Sequence, residues 1–376
     1  MTKNLLMVAG EASGDMHGAS LIREIKLLDP EVSISGIGGP QMEARGMKIL
    51  FHIRQMAFLG FAEVIRHIPF IRKVQSDLID EVKNKNIDTV VLIDYPGFNL
   101  SIAKKFKALG LKVIYYISPQ VWAWGKGRLR KIKKVVDKMI VILPFEEKFF
   151  KDAGIDVEYV GHPLLEQIER YNYLNKEELF RLFGFESNKD LLLVLPGSRV
   201  QEIGRIFPET IKAAAEVSKR FGLQTVVACS SNIDEGIFRQ LAPEVNFKVV
   251  KDHTYDLFRH AKFGIIKSGT STLEAALFHL PMVVVYATSY LTYLIGKNLI
   301  EIDKISLVNI IAGEKIVQEL IQKDVNCGKI FSACEAVLSD DKSYNSMKDR
   351  LKALEEKLGT TGVSKRSAEI ILEYMN

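Results

Sequence analysis

Short apolar runs rich in β-branched residues recur along the chain and alternate with longer stretches of helical periodicity. In the first half they are Leu5–Ala9, Thr89–Ile93, Val113–Ile117, Met139–Leu143 and Val157–Val160. Each has strand length, and several helical turns separate it from the next. Strands spaced in this way pair in parallel through helical crossovers more economically than as hairpins, and unbroken apolar runs predict a sheet buried on both faces. After Gly161-His162-Pro163 the pattern restarts, with Leu191–Leu195, Thr225–Cys229, Phe247–Val250, Phe263–Ile266 and Met282–Tyr286. The charged, helix-patterned stretch Leu164–Lys189 suits a connection between two Rossmann-like domains rather than a continued sheet. The reading is therefore α/β: a first domain over residues 1–163, a second over 164–355, and a charged helical segment, 356–376, of a kind that packs back on the first domain.

Composition narrows the partners. At 376 residues the chain exceeds the size at which one core stops growing. Fifty-one Lys and Arg against 46 Asp and Glu leave a formal charge of only +5, too mild to wrap nucleic acid. Cys229, Cys327 and Cys334 lack paired-ligand spacing and read as reduced thiols. The start, MTKNLLMVAGEASGD, lacks the apolar stretch of an export signal, so a cytoplasmic protein is expected. The apolar region Phe51–Val74 is cut by Arg54, Glu63, Arg66, Pro69 and Arg72, which makes any membrane association peripheral.

Chemistry gathers where strands end. The first strand runs into Gly10-Glu11-Ala12-Ser13-Gly14-Asp15-Met16-His17-Gly18 and then a helix. Such a turn brings backbone close to a ligand and aims free N–H groups at anions, while Ser13 or Asp15 capping the helix accounts for it equally well. Ile93-Asp94-Tyr95-Pro96-Gly97-Phe98-Asn99 places Asp94 at a strand's carboxyl end, where a general base is expected; a turn or N-cap aspartate is the alternative. Ser118-Pro119-Gln120-Val121-Trp122-Ala123-Trp124 carries both tryptophans, which suit sugar stacking, an acyl groove or the core. The cations from Lys126 to Lys134 fit an anionic headgroup or a solvated helix face. In the second half, Leu195-Pro196-Gly197-Ser198-Arg199 suits a diphosphate, unless Arg199 merely pairs with Glu202. Ser268-Gly269-Thr270-Ser271 suits phosphate, and Glu274 suits a ribose diol. Two such turns in one domain point to a nucleotide.

Together, GEASGDMHGA, IDYPGFN, SPQVWAWG, YVGHP, LPGSRVQEI, SGTSTLEAAL and LVNIIAGE resemble, in order and over most of the chain, the lipid-A-disaccharide synthase family. The resemblance implies a GT-B fold, in which two Rossmann-like domains present parallel sheets across a cleft. It further implies an inverting transferase that needs neither metal nor cofactor, with UDP-2,3-diacylglucosamine as donor and 2,3-diacylglucosamine 1-phosphate as acceptor. The products would be a β-1,6-linked lipid A disaccharide and UDP. Carried over, Asp94 becomes the base, with Glu11 and His17 beside the reacting centre. Arg199, Ser268, Gly269, Thr270, Ser271 and Glu274 would hold UDP. Ser13, Asp15, Asn99, Gln120, Trp122, Asn309 and Glu319 would line the acceptor side of the cleft. Val308 and Gln318 stand where the family commonly carries proline.

The same resemblance gives the amphipathic segment a reading. Phe58, Phe61, Ile65, Ile68 and Phe70, interleaved with Arg66 and Arg72, make a surface for the anionic cytoplasmic face of the inner membrane; a buried helix face fits the periodicity as well. The apolar stretch Tyr290–Leu299 leaves a homodimer contact open. The rival readings are another GT-B enzyme, such as a UDP-GlcNAc 2-epimerase, and a binding protein without turnover.

Overall fold

The computed structural model describes residues 3–56, 67–122, 126–289 and 304–375. The chain divides into two compact units, one formed by Met1–Glu166 with Leu358–Asn376 and the other by Gln167–Lys357.

The first unit is built on a parallel seven-stranded sheet in the order β3-β2-β1-β4-β5-β6-β7. Its strands are β1 (Asn4–Ala9), β2 (Ser33–Gly38), β3 (Lys48–His52), β4 (Thr89–Ile93), β5 (Lys112–Tyr116), β6 (Lys138–Val141) and β7 (Val157–Tyr159). Leu5 to Ala9 and Val90 to Ile93 are wholly buried. Their side chains alternate between two cores. Leu6, Val8, Val90 and Leu92 meet the helices Ile68–Asn84 and Pro96–Ala108 on one face. Leu5, Met7, Val91 and Ile93 meet the helices Ala12–Leu28 and Val363–Met375 on the other. Each large aliphatic side chain so buried contributes roughly 1.5–3 kcal/mol.

The C-terminal helix is fastened as well as packed. Glu166 accepts hydrogen bonds from the backbone N–H and the hydroxyl of Ser364, both at 2.9 Å, which places a carboxylate at that helix's amino end. Arg366 donates to the Val160 carbonyl, and the His162 N–H to the Leu358 carbonyl. The preceding helix, Asp341–Lys357, belongs instead to the second unit.

The second unit has a six-stranded parallel sheet ordered β10-β9-β8-β11-β12-β13, the doubly wound arrangement of nucleotide-binding folds. The strands are β8 (Leu191–Leu195), β9 (Gln224–Cys229), β10 (Lys248–Lys251), β11 (Ala261–Lys267), β12 (Met282–Tyr286) and β13 (Gln318–Ile321). The helix Val200–Phe221 follows β8, buries Ile203, Ile206, Phe207, Ile211, Ala214 and Val217 at helical spacing, and stops at left-handed Gly222.

Strands β2, β3 and β13 were not among the expected runs. β2 reads Ser-Ile-Ser-Gly-Ile-Gly, and glycine argues against a strand unless backbone must approach closely. Here it must: Gly36 has φ +143°, and a Cβ on it would lie 2.0 Å from the Met7 carbonyl oxygen. β3 and β13 are sheet edges with weak apolar character.

Among the described residues no helix is long and apolar enough to cross a membrane. Phe58, Phe61, Ile65 and Arg66 lie outside the described residues, as do Trp124 and Tyr290–Leu299. Of the remaining surface candidates Ile68 and Arg72 are exposed, whereas Phe70 packs edge-on against Phe51 and belongs to the core margin.

Gly36→Ala is expected to destabilise the first unit by about 3 kcal/mol or more, because both the backbone conformation and the Met7 contact resist a side chain. Urea denaturation followed by circular dichroism measures this.

Candidate functional site

In the first unit the unusual geometry sits at the carboxyl ends of β4 and β5. Asp94 and Tyr95 have φ of +44° and +47°, and Ile117, just beyond β5, has +64°. Left-handed backbone at non-glycine residues costs on the order of 1–3 kcal/mol each and persists only where its surroundings impose it. The surroundings are visible. The Asp94 N–H donates to the Tyr116 carbonyl at 3.0 Å, and the Asp94 carbonyl accepts from the Asn99 amide at 2.8 Å and the Tyr115 hydroxyl at 2.5 Å. The Tyr95 ring covers Gly10, where a Cβ would come within 2.2 Å, and its hydroxyl reaches the Met56 carbonyl at 2.8 Å. Gly10 is thus required to be bare because an aromatic ring rests on it.

This frame sets the chemistry of Asp94. Its half-buried carboxyl is pushed up to about 6, first by burial and then by the negative charge of Glu11, against a smaller opposing hydrogen bond from the Tyr95 backbone. Glu11 is the exposed residue preceding the helix Ala12–Leu28. Ser13 is also exposed in that turn, and Gln120 is exposed beyond β5. A carboxylate with its proton affinity near neutrality and its backbone locked is suited to general-base work.

Other expected residues take different places. His17 is coupled to Glu166 and His162 rather than to Asp94; burial pushes its imidazole down to about 4, so the ring is neutral at pH 7. Asp15 is buried and accepts from the backbone N–H groups of Gly39, Gln41 and Met42 at 2.8–3.1 Å, so it caps the helix Pro40–Glu43. Its carboxylate is occupied, neither capping its own helix nor facing a ligand. Asn99 is fully buried and supports the Ile93 and Asp94 carbonyls from beneath. Trp122 is a core residue: its indole N–H donates to Glu146 at 2.9 Å, beside the Ser118 hydroxyl, which donates to the same oxygen at 2.5 Å. Burial pushes Glu146 up to about 7. This carboxylate, which anchors the loop after β5, escaped the sequence reading, although Leu143-Pro144-Phe145-Glu146 has the spacing of a capping box.

In the second unit a cavity of about 450 Å³ gathers Gly197, Ser198 and Arg199 from the turn after β8 with Gly269, Thr270, Ser271 and Glu274 from the turn after β11. The Arg199 side chain is exposed and makes no hydrogen bond or ion pair among the described residues. Glu274 accepts from the Tyr255 hydroxyl at 3.1 Å, and burial raises its pKa. Ser268 lies beneath the cavity, its hydroxyl donating to the Ile305 carbonyl at 3.3 Å. Arg199 and Glu202 are not partners; Glu202 pairs with Lys267 at 3.0 Å. Glu202 and Lys267 also line it, as do Thr254, Tyr255 and Ser230, which were not singled out from sequence. Glu202 stands inside one quoted motif and Lys267 immediately before another, but nothing in spacing told that two separate turns would bring them together.

Asn309 and Glu319 form a buried lattice. Glu319 accepts from Ile305 and Ser306 N–H groups, the Ser306 hydroxyl and the Asn309 amide at 2.7–3.0 Å, while the Asn309 oxygen accepts from the Ile316 and Val317 N–H groups. Together they fix the segment whose Ile305 carbonyl receives the Ser268 hydroxyl. Val308 is buried in a helix capped by Ser306 and Gln318 opens β13, so neither position needs proline. Among the described residues no three His, Cys, Asp or Glu side chains are placed to share a metal ion.

Residues 5–373 match the family model described as lipid-A-disaccharide synthetase. The chain is 40% identical to the lipid-A-disaccharide synthase of Geobacter sulfurreducens, over all of this chain and 99% of that protein. It is also 40% identical to the Nitrosococcus oceani synthase, over 98% of this chain and 95% of that one. Among solved structures it resembles the UDP-GlcNAc 2-epimerase of Neisseria meningitidis bound to UDP-GlcNAc, with TM-score 0.69 and 13% identity over 98% of this chain and 100% of that one. The calicheamicin glycosyltransferase gives TM-score 0.63 and 15% identity over 100% and 98%. Likeness at those identities concerns fold alone, and it is the GT-B fold.

The raised affinity of Asp94 for its proton has a consequence for stability. The unfolded carboxyl releases its proton near 3.8, the folded one near 6. Between these values the folded state binds more protons, so stability falls as pH rises through that window. Asp94→Asn, which cannot ionise, should therefore raise the melting temperature at pH 7 by a few degrees and change it less near pH 4; calorimetry at both pH values checks the sign.

Proposed function

The chain belongs to the lipid-A-disaccharide synthase family, and from that premise we propose that Asp94 is the base of its glycosyl transfer and that the cavity of the second unit holds the UDP of its donor. The protein is a GT-B glycosyltransferase of lipid A biosynthesis. Its donor is read as UDP-2,3-diacylglucosamine and its acceptor as 2,3-diacylglucosamine 1-phosphate.

In this reading the Asp94 carboxylate takes the proton of the acceptor's 6-hydroxyl as that oxygen attacks C1 of the donor sugar. The bond from C1 to the diphosphate breaks with inversion, and UDP departs carrying the electron pair. Arg199 and the N–H groups opening the helix Thr270–Leu277 stabilise the charge that develops on the diphosphate, which is where fixed donors help most. Glu274 receives the ribose hydroxyls. Glu11 acts on Asp94 through its charge, and Asn99 with Tyr115 holds the base in register. The observation that carries the reading is the strained, hydrogen-bonded strand end that fixes Asp94 where burial and the Glu11 charge lift its carboxyl to about 6.

Lipid substrates require access to a bilayer. Exposed Ile68 and Arg72, with the residues before them, support peripheral binding at the anionic cytoplasmic face of the inner membrane.

Purified protein with both substrates should release UDP and form disaccharide only when acceptor is present, and a chelator should leave the rate unchanged. Stable protein that binds UDP and never turns over would reject the transferase reading. Asp94→Ala should lower turnover by about two to four orders of magnitude with UDP affinity retained. Arg199→Ala should weaken UDP binding about tenfold, measured by calorimetric titration.

A further inference from the structure

Two side chains of the second unit's cavity have no part in the reading above. Glu202 lies in the first turn of the helix Val200–Phe221, and Lys267 is the last residue of β11. They meet at 3.0 Å with side chains only 19% and 17% exposed, so the pair is shielded well beyond an ordinary surface ion pair and bears a desolvation cost.

The geometry around them is specific. One oxygen of Glu202, Oε1, accepts from Lys267; the other, Oε2, is buried with no hydrogen-bond partner among the described residues. That free oxygen lies under the turn after β8, where a Cβ on Gly197 would come within 2.9 Å of it. On the other side, the space above Gly269 holds nothing nearer than the Lys267 ammonium, 3.9 Å from where a Cβ would stand. The carboxylate thus ties the helix start after β8 to the end of β11, and the ammonium stands near Gly269, the residue that opens the helix Thr270–Leu277.

A cation beside a helix amino end gains nothing from that helix, because both are electropositive; an anion placed between them gains from each. We propose that Lys267 is a second diphosphate-binding residue beside Arg199 and that Glu202 is the positioning residue that holds it there. This rests on the reading that UDP occupies the cavity. When the diphosphate arrives, Lys267 exchanges part of its contact with Glu202 for the phosphate oxygens, so the ammonium stays compensated with and without ligand.

The test is titration calorimetry of the full chain with two probes, UDP and uridine, which differ only in the diphosphate. Lys267→Met, which keeps the aliphatic stem, should weaken UDP about tenfold and leave uridine unchanged. Lys267→Arg should restore part of the loss. Glu202→Gln should alter UDP affinity when Lys267 is present and have no further effect in the Lys267→Met background. Where Lys267→Met does not fold, Lys267→Gln serves in its place. UDP affinity within twofold of the parent, or equal weakening of UDP and uridine, would overturn the proposal while leaving the UDP site intact. Parent protein that binds neither probe would overturn the UDP reading itself.

Discussion

The hydrogen bonds that force left-handed backbone at the end of β4 are the interaction on which the first unit's candidate site depends. The Asp94 carbonyl is held by Asn99 from its own helix and by Tyr115 from the neighbouring strand, and the Tyr95 ring is pressed onto Gly10. Those partners come from the helix after β4, from β5 and from the turn after β1, so three separate parts of the unit must be folded before Asp94 reaches its position. The strain is offset by sheet burial, since the strands beneath are almost wholly apolar and excluded from water. A carboxyl lifted towards neutrality is destabilising at working pH, and its retention there is what a base requires.

The second unit meets a different demand with similar means. Two strand-to-helix turns, each containing a glycine, converge on one cavity, and among the described residues the Arg199 side chain makes no hydrogen bond or ion pair. Below the cavity, polar groups are satisfied by one another: Ser268 by Ile305, and the Ile305 segment by Glu319 and Asn309. Rigid support under open donors is the arrangement that favours developing charge over water.

Much of this was legible in the chain. The apolar runs of β1, β4, β5, β8, β11 and β12 identified central strands because burial on both faces demands unbroken hydrophobicity. The turns that line the second unit's cavity were visible because glycine and hydroxyl residues follow strands directly. What sequence withheld were relations across distance. Asp15 looks like a cleft-lining or capping residue, yet its carboxylate closes a helix 24 to 27 positions away. Trp122 looks like a sugar platform, yet Glu146 draws it into the core. His17 sits within two helical turns of Glu11 and nevertheless answers to Glu166 and His162. β2 hid because the glycines that make it fit against Met7 are the residues that usually argue against a strand.

The account's central claim is that burial and the Glu11 charge tune Asp94 into the base. The most direct measurement is the pH dependence of kcat/KM for the parent protein and for Glu11→Gln. The base must be ionised, so the parent rate should rise with pH through an inflection near 6 and then level. Removing the Glu11 charge should move that inflection to lower pH while UDP affinity stays the same. An inflection that is absent, or that stays fixed in Glu11→Gln, would contradict the assignment of Asp94 as the base tuned by its neighbour.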